Sequence, residues 1–300
     1  MSRLEDELHE EFRERLKVNQ SLAEFTSFRI GGPADLFVTV ENEDELMRAK
    51  RAAHRAGVST FCLGRGTNLL VSDRGIRGLV IRLGEGFNKI SIDDVRVTAG
   101  AGVDFGALVE TVVECGLEGL EFGEGIPGTV GGGLVMNAGA FGGEIARVVI
   151  LVHGVTAEGE ARALTPEEVN FAYRRTNLPP HFVISRVDFE LRHGDRDQLR
   201  ARVMDVRAKR AMRQPRGVPN AGSIFKNPPG SFAGRLLDAA GMKGRRIGDA
   251  GFSEQHANFI VNLGAARAAD VHALIELARV KVKDSSGVLL EPEVRLVGDW

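Results

Sequence analysis

Residues 120–143 read LEFGEGIPGTVGGGLVMNAGAFGG, with nine glycines between Gly123 and Gly143. Glycine costs about 1 kcal/mol against alanine inside a helix and weakens a strand, so a run this rich makes a poor scaffold. It suits a place where main-chain N–H groups must approach a ligand with no Cβ atoms in the way. Ile126, Val130, Leu134, Val135 and Met136 are interleaved with the glycines, which argues for a packed bed rather than a mobile loop. Gly123, Gly125 and Gly128 spell G-x-G-x-x-G, a fingerprint that requires a strand before it and a helix after it. Here Pro127 interrupts the turn, and Gly131, Gly132 and Gly133 fall where the first turns of that helix should be. The expectation is an extended glycine bed under a cofactor carrying phosphates and a flat ring, not a Rossmann unit.

Upstream, a strand over 59–63 runs straight into a second glycine turn, Gly64-Arg65-Gly66-Thr67-Asn68. Gly64 and Gly66 permit left-handed dihedrals that turn successive N–H groups inward, and Thr67 and Asn68 add side-chain donors. Such turns end many strands, so the signal gains weight only beside the bed. Two backbone cradles about 60 residues apart fit the pyrophosphate and ring of a flavin dinucleotide.

The chain of 300 residues is 43% hydrophobic and 27% charged, which suits a globular protein of two or three domains. The N-terminal MSRLEDELHEEFRERL has no apolar core for a signal peptide, and no apolar run reaches membrane-spanning length, so the expected compartment is the cytoplasm. Cys62 and Cys115 lie far apart among apolar neighbours and read as buried thiols. No motif supports a metal site, and His256 reads as structural. The formal charge of −2 argues against nucleic acid as a partner, but it hides an asymmetry. Lys209, Arg210, Arg213, Arg216, Lys226, Arg235, Lys243, Arg245 and Arg246 stand against one acid, Asp238. Such a local excess suits a small anionic ligand, or else solvated cations on a helix end and loop.

Leu4, Leu8, Phe12 and Leu16 predict an amphipathic helix. Strands are expected at 25–30, 35–40, 79–83, 95–99, 148–155, 161–164 and 182–191, and helices at 43–56, 105–115 and 198–213. Thr165-Pro166-Glu167-Glu168 is a helix start with Pro at N1 and Glu at N3. Helices are expected again at 232–240 and 268–282, flanking a strand at 258–262. A last strand over 288–297 places Glu291, Glu293 and Arg295 on one face, with Pro292 confining it to an irregular position. Strands and helices do not alternate regularly, so the fold class is α+β.

Taken together these segments resemble the UDP-N-acetylenolpyruvoylglucosamine reductase family, also called UDP-N-acetylmuramate dehydrogenases. The resemblance covers nearly the whole chain. It runs through Thr26-Ser27-Phe28-Arg29-Ile30-Gly31-Gly32, residues 64–70, residues 125–132, Met136-Asn137-Ala138-Gly139, Tyr173-Arg174, residues 222–228 and residues 290–295. It implies a two-part FAD-binding region of the vanillyl-alcohol-oxidase type, over 1–84 and 85–213, and a substrate-binding domain over 214–300. It also implies non-covalent FAD, NADPH as reductant, and reduction of UDP-N-acetylglucosamine enolpyruvate to UDP-N-acetylmuramate for peptidoglycan, with no membrane insertion. By motif position the catalytic arginine falls on Arg174, the proton donor on Ser223 and the catalytic glutamate on Glu293. Cofactor contacts fall on Gly64, Arg65, Gly66, Thr67, Asn68, Gly125, Ile126, Gly128, Thr129, Gly132 and Asn137, and substrate contacts on Tyr173, Lys226 and Asn227. The short segment after Arg174 resembles the subgroup lacking an extra substrate-covering loop. Glu124, Phe141 and Thr176 depart from the family pattern.

The chemistry asks for these residue types independently. Adding a hydride to an enol ether leaves negative charge beside its carboxylate, which a guanidinium such as Arg174 can absorb. A protonated Glu293 could donate a second hydrogen bond, and Ser223 could deliver the proton. A flavin oxidase of a hydroxy acid, a non-catalytic flavin-binding regulator and a Rossmann protein are the alternatives. The first needs a base that no histidine is placed to supply, and the second has no use for Arg174, Ser223 and Glu293 together.

Overall fold

The computed structural model describes residues 2–215 and 217–300, the side chains of Ser2 and Arg213 excepted. Two of the nine clustered cations, Arg216 and the side chain of Arg213, therefore lie outside the described residues. The chain forms two compact units, Met1–Val18, Leu36–Gly64 and Gly78–Arg210 in the first, and Asn19–Asp35, Arg65–Arg77 and Ala211–Trp300 in the second.

The first unit is built on two sheets. One is five-stranded, in the spatial order Ala161–Leu164, Val149–Val155, Val183–Glu190, Arg96–Gly100, Ile90–Asp93, antiparallel throughout. Its buried side chains Val97, Ala99, Val152, Val187 and Phe189 form one core with Phe105, Leu108, Val109 and Val112 of the helix Phe105–Glu114. Val130 and Leu134 of the glycine bed join the same core. The other sheet orders Leu16–Ser21, Pro33–Val40, Ile76–Leu83 and Thr60–Leu63, most of it in this unit. Helices Ser2–Phe12 and Glu43–Arg55 close it. Leu4, Leu8 and Phe12 are all but inaccessible, each stabilising by about 1.5–3 kcal/mol.

The expected N-terminal helix stops earlier than its apolar period suggests. Arg13 takes a left-handed backbone, and Leu16 is buried as the first residue of a strand. A four-residue apolar spacing cannot tell a helix from a helix followed by a turn that presents the same face. The strand expected at 25–30 is instead a helical turn, Ala23–Phe25, followed by bends. The helix start at Thr165 forms as read, with a capping box between Thr165 and Glu168.

Cys115 is exposed at the end of its helix, so the expectation of a buried thiol is corrected there, whereas Cys62 is partly exposed as a residue but its thiol is buried. Burial still pushes the Cys62 thiol up to about 12, which keeps it protonated. Its neighbour Lys50 is fully buried and donates to Thr60 Oγ1 and the His181 carbonyl, both at 2.7 Å. Burial lowers its pKa from 10.5 to about 8, with Glu158 opposing. The folded state thus releases this proton before the unfolded chain does, so the Lys50 contribution to stability rises with pH from about 8 to 10.5. Urea unfolding of Lys50→Met across that window is expected to give a flatter pH dependence than the unsubstituted protein. An unchanged slope would remove Lys50 as its source.

The second unit packs the helix Ala268–Ser286 and the short helix Ala233–Ala239 around a three-stranded sheet, Arg246–Ile247, Ala250–Phe252 and Ile260–Asn262. Leu69–Val71 pairs in parallel with Arg295–Val297. The expected strand over 288–297 is regular only at that end, because Pro292 lacks an N–H and makes only an isolated bridge with Phe225. Among the described residues no helix is long and apolar enough to cross a membrane, and no group of three or more His, Cys, Asp or Glu is placed to hold a metal.

Candidate active site

In the first unit the glycine bed is not extended. Val130–Val135 is a helix, and Thr129 caps it, Oγ1 accepting from Gly132 N at 3.2 Å. The reading that three glycines exclude a helix is corrected, because packing outweighs propensity here. A Cβ on Gly131 would fall 2.9 Å from Ala101 Cβ, so only glycine lets this turn lie on the sheet. The Rossmann reading still fails, since a helical turn at Glu121–Gly123 and the loop to Gly128 separate this helix from the preceding strand, Leu117–Glu118.

The helix does not present its first N–H groups outward. Val130 N donates to Val103 O and Gly131 N to Ala101 O, each at 2.9 Å. What the glycines supply is a smooth surface rather than a ring of donors. Gly132 is exposed, and a Cβ there would meet only Thr129 Oγ1, at 3.4 Å. The chain's own packing thus gives no reason for glycine at 132, whereas a ligand lying on that turn does. Gly64 belongs to the same surface, its hypothetical Cβ 3.1 Å from Thr129 Oγ1. Its φ is not positive, so the left-handed turn expected at Gly64 is corrected to a close-approach position. These two smooth turns meeting at Thr129 fit a flat, elongated cofactor of the FAD type.

Arg174 is anchored to the same bed. Ala172 and Arg175 exchange backbone hydrogen bonds of 2.9 and 3.1 Å, and Arg174 sits in that tight turn with φ 55°. A non-glycine residue in this region costs of order 1 kcal/mol or more, so the surroundings must enforce it. Arg174 Nη2 donates to Gly139 O at 2.6 Å, and its guanidinium lies 5.1 Å from the centre of the Tyr173 ring, which is half exposed. Asn137, 2% exposed, accepts from Ala146 N and donates to Ala172 O at 3.1 Å and to Glu144 at 3.2 Å. Its side chain is therefore the brace of the Tyr173-Arg174 turn. Thr176 donates to Val135 O at 3.0 Å, a bond its hydroxyl makes as a serine would. Phe141 stands half exposed at the tip of the hairpin between Gly139–Ala140 and Gly143–Glu144.

The second unit gathers another set. Residues 224–226 run antiparallel to 291–293, with Lys226 N donating to Glu291 O at 2.9 Å and Glu293 N to Ile224 O at 2.8 Å. Ser223 and Glu293 thus lie on neighbouring segments, both half-buried. Asn68 lies against that pair, its Nδ2 donating to Glu293 O at 3.1 Å and its backbone carbonyl accepting from Arg295 N at 3.0 Å. Its side-chain amide, expected to serve a cofactor, makes one bond of this brace through Nδ2. Gly66 is left-handed as read, and a Cβ on it would fall 2.4 Å from Phe25 O. Lys226 pairs with the exposed Glu291, and Asn227 accepts from Ala233 N at 3.0 Å, capping a helix. His256 is structural, Nδ1 accepting from Asn258 N at 3.1 Å and its ring edge-on to Phe259.

Two supporting residues were given no role by the sequence reading. Asn258, 4% exposed, clamps Phe225 with both ends of its amide, at 2.9 and 2.8 Å. Ser27 donates to Asn220 O at 2.7 Å. Neither carries a local signal, because each pairs with a segment remote in sequence.

A smooth glycine surface beside an anchored arginine, on an α+β fold, defines a flavoprotein, and a model described as "FAD binding domain" matches residues 34–165. A second model, "UDP-N-acetylenolpyruvoylglucosamine reductase, C-terminal domain", matches residues 214–297. The reductase of that name from Heliobacterium modesticaldum is 45% identical over 96% of this chain and 93% of its own length. The one numbered 2 from Symbiobacterium thermophilum is 46% identical over 95% and 92%. The crystal structure of the reductase from Thermus caldophilus superposes with a TM-score of 0.81 at 38% identity, covering 94% of this chain and 97% of the other. The chain belongs to the UDP-N-acetylenolpyruvoylglucosamine reductase family.

Proposed function

We infer that the protein reduces UDP-N-acetylglucosamine enolpyruvate to UDP-N-acetylmuramate, an NADPH-dependent step of peptidoglycan synthesis carried out in the cytoplasm with non-covalent FAD. The observation that carries this is similarity above 40% identity along essentially the whole of both chains. FAD, when bound, supplies the hydride chemistry, taking two electrons and a proton from NADPH and delivering them to the terminal carbon of the enol ether. Gly64, Arg65, Gly66, Thr67, Gly125, Ile126, Gly128, Thr129 and Gly132 are proposed to hold it. Asn68 and Asn137 contribute by bracing these segments. Functionally, 1–84 and 85–213 are the two parts of the cofactor region and 214–300 the substrate-binding region, with 19–35 and 65–77 packed into the second unit.

Arg174 is assigned the substrate carboxylate, where its guanidinium takes up charge as it grows. Glu293, in its protonated form, donates a second hydrogen bond to the same group. Ser223 transfers its hydroxyl proton to the carbon next to the carboxylate, completing the lactyl ether, and regains a proton from water. Tyr173, Lys226 and Asn227 bind the nucleotide sugar. Lys226 exchanges the exposed Glu291 for a phosphate at small cost, since surface ion pairs contribute only about 0–1 kcal/mol.

The purified protein is expected to be yellow, to bleach anaerobically with NADPH, and to regain colour on adding the enolpyruvyl nucleotide sugar. Colour restored by a simple keto acid and not by the nucleotide sugar would favour the hydroxy-acid oxidase instead. A yellow protein that NADPH leaves unchanged would favour the regulator.

A further inference from the structure

Arg210, near the end of the helix Arg196–Arg213, has no acceptor where one is needed. Its Nε is buried without a hydrogen-bond partner. A Cβ on Gly125 would lie 3.1 Å from both its Cδ and its Nε, so the side chain runs along the backbone of the glycine bed. The nearest acid does not serve it. Glu124 is buried too, but accepts from Arg207 Nε at 2.8 Å. Burial lowers the pKa of Arg210; Glu124 opposes this and the positive charge of Arg174 adds to it. A buried, unpaired donor on a cation costs free energy, and folded chains retain one where something else completes it. Water could satisfy the Nε, but it would not offset two guanidiniums held in one neighbourhood. An anionic or electron-rich ligand group does both.

We propose that Arg210 is a further cofactor-binding residue, its guanidinium donating to the N1–C2=O edge of the flavin ring and binding it most tightly when reduction places negative charge there. This deepens the FAD reading above and rests on it. The ring is preferred over the pyrophosphate because Arg210 lies against Gly125 in the neighbourhood of Arg174, the arginine assigned to the reacting end of the substrate. The substrate carboxylate is the weaker choice, since Arg210 touches the bed itself.

The test is the two-electron midpoint potential of the FAD-loaded protein, measured against redox dyes, with the affinity for oxidised FAD measured separately by fluorescence. Arg210→Met is expected to lower the potential by about 30 mV or more, equivalent to a tenfold loss of affinity for reduced relative to oxidised FAD. Arg210→Lys, which keeps the charge and loses the Nε, is expected to fall between. Arg207→Gln, three residues earlier and paired with Glu124, is expected to leave the potential unchanged. If Arg210→Met keeps the original potential while FAD binding weakens equally in both redox states, Arg210 serves the pyrophosphate. If only the KM for the nucleotide sugar rises, it serves the substrate; either result overturns the proposal. Should Arg210→Met fail to retain FAD, an unshifted potential in Arg210→Lys overturns it equally. Failure of the FAD reading itself would appear earlier, as an unsubstituted protein that binds no flavin.

Discussion

Ser223→Ala is expected to leave bleaching of the bound flavin by NADPH near its normal rate, and to slow the return of colour with the enolpyruvyl nucleotide sugar by about 10²- to 10⁴-fold. The two half-reactions separate because only the second forms a carbon that must be protonated. The substitution removes one oxygen from a half-buried position and leaves the segment anchored. Ile224 and Phe225 are buried at 0% and 1%, and their backbone bonds to Asn258 and Glu293 do not involve the serine hydroxyl. A thermal midpoint within a degree or two of the unsubstituted protein should accompany the loss. Stopped-flow traces in which both halves slow alike would refute the proton-donor role, since such a change reports a disturbed cofactor site.

Arg174→Ala is expected to slow the second half-reaction by about 10²- to 10³-fold, the range for removing one preorganised donor from a developing anion. Arg174→Lys is expected to recover only part of this. An ammonium restores the charge but not the planar fork, one arm of which holds Gly139 O. The same bond ties the turn to the bed, so loosening of the hairpin must be told apart from loss of the donor. Thr176→Val provides that control. It removes a separate tie of this segment, to Val135 O, without touching a guanidinium. Turnover unchanged in Arg174→Ala would remove the arginine from the chemistry. Equal losses in Arg174→Ala and Thr176→Val would make it only a brace.

Elements whose instructions are local were legible in the chain. The capping box at Thr165 and the hairpin between Val149–Val155 and Ala161–Leu164 formed where the residues place them. So did the helix Phe105–Glu114, ended by left-handed Gly116. Elements whose partners are distant were not. Leu69–Val71 is too short to announce itself and is a strand only because Arg295–Val297 lies beside it. The helix Val130–Val135 contradicts its own propensity, and forms because Ala101 and Val103 take its first N–H groups and Ala101 leaves room for nothing larger than Gly131. The motifs marked Arg174, Ser223 and Glu293 without telling what holds them, and they were silent on Arg210, one arginine among many in a basic stretch.

By itself the sequence determined the class of the fold, the glycine-rich surface for a cofactor and the order of the motifs that carry the chemistry. Each is written in residue types and short spacings, through periodicity, caps and missing Cβ atoms. Tertiary structure alone decided which glycines offer surface and which merely fit under a neighbour, and which amides brace the site. It also decided which cation lacks an acceptor. Those properties depend on the atoms that segments far apart in the chain bring within a few ångströms, and no local pattern encodes that distance.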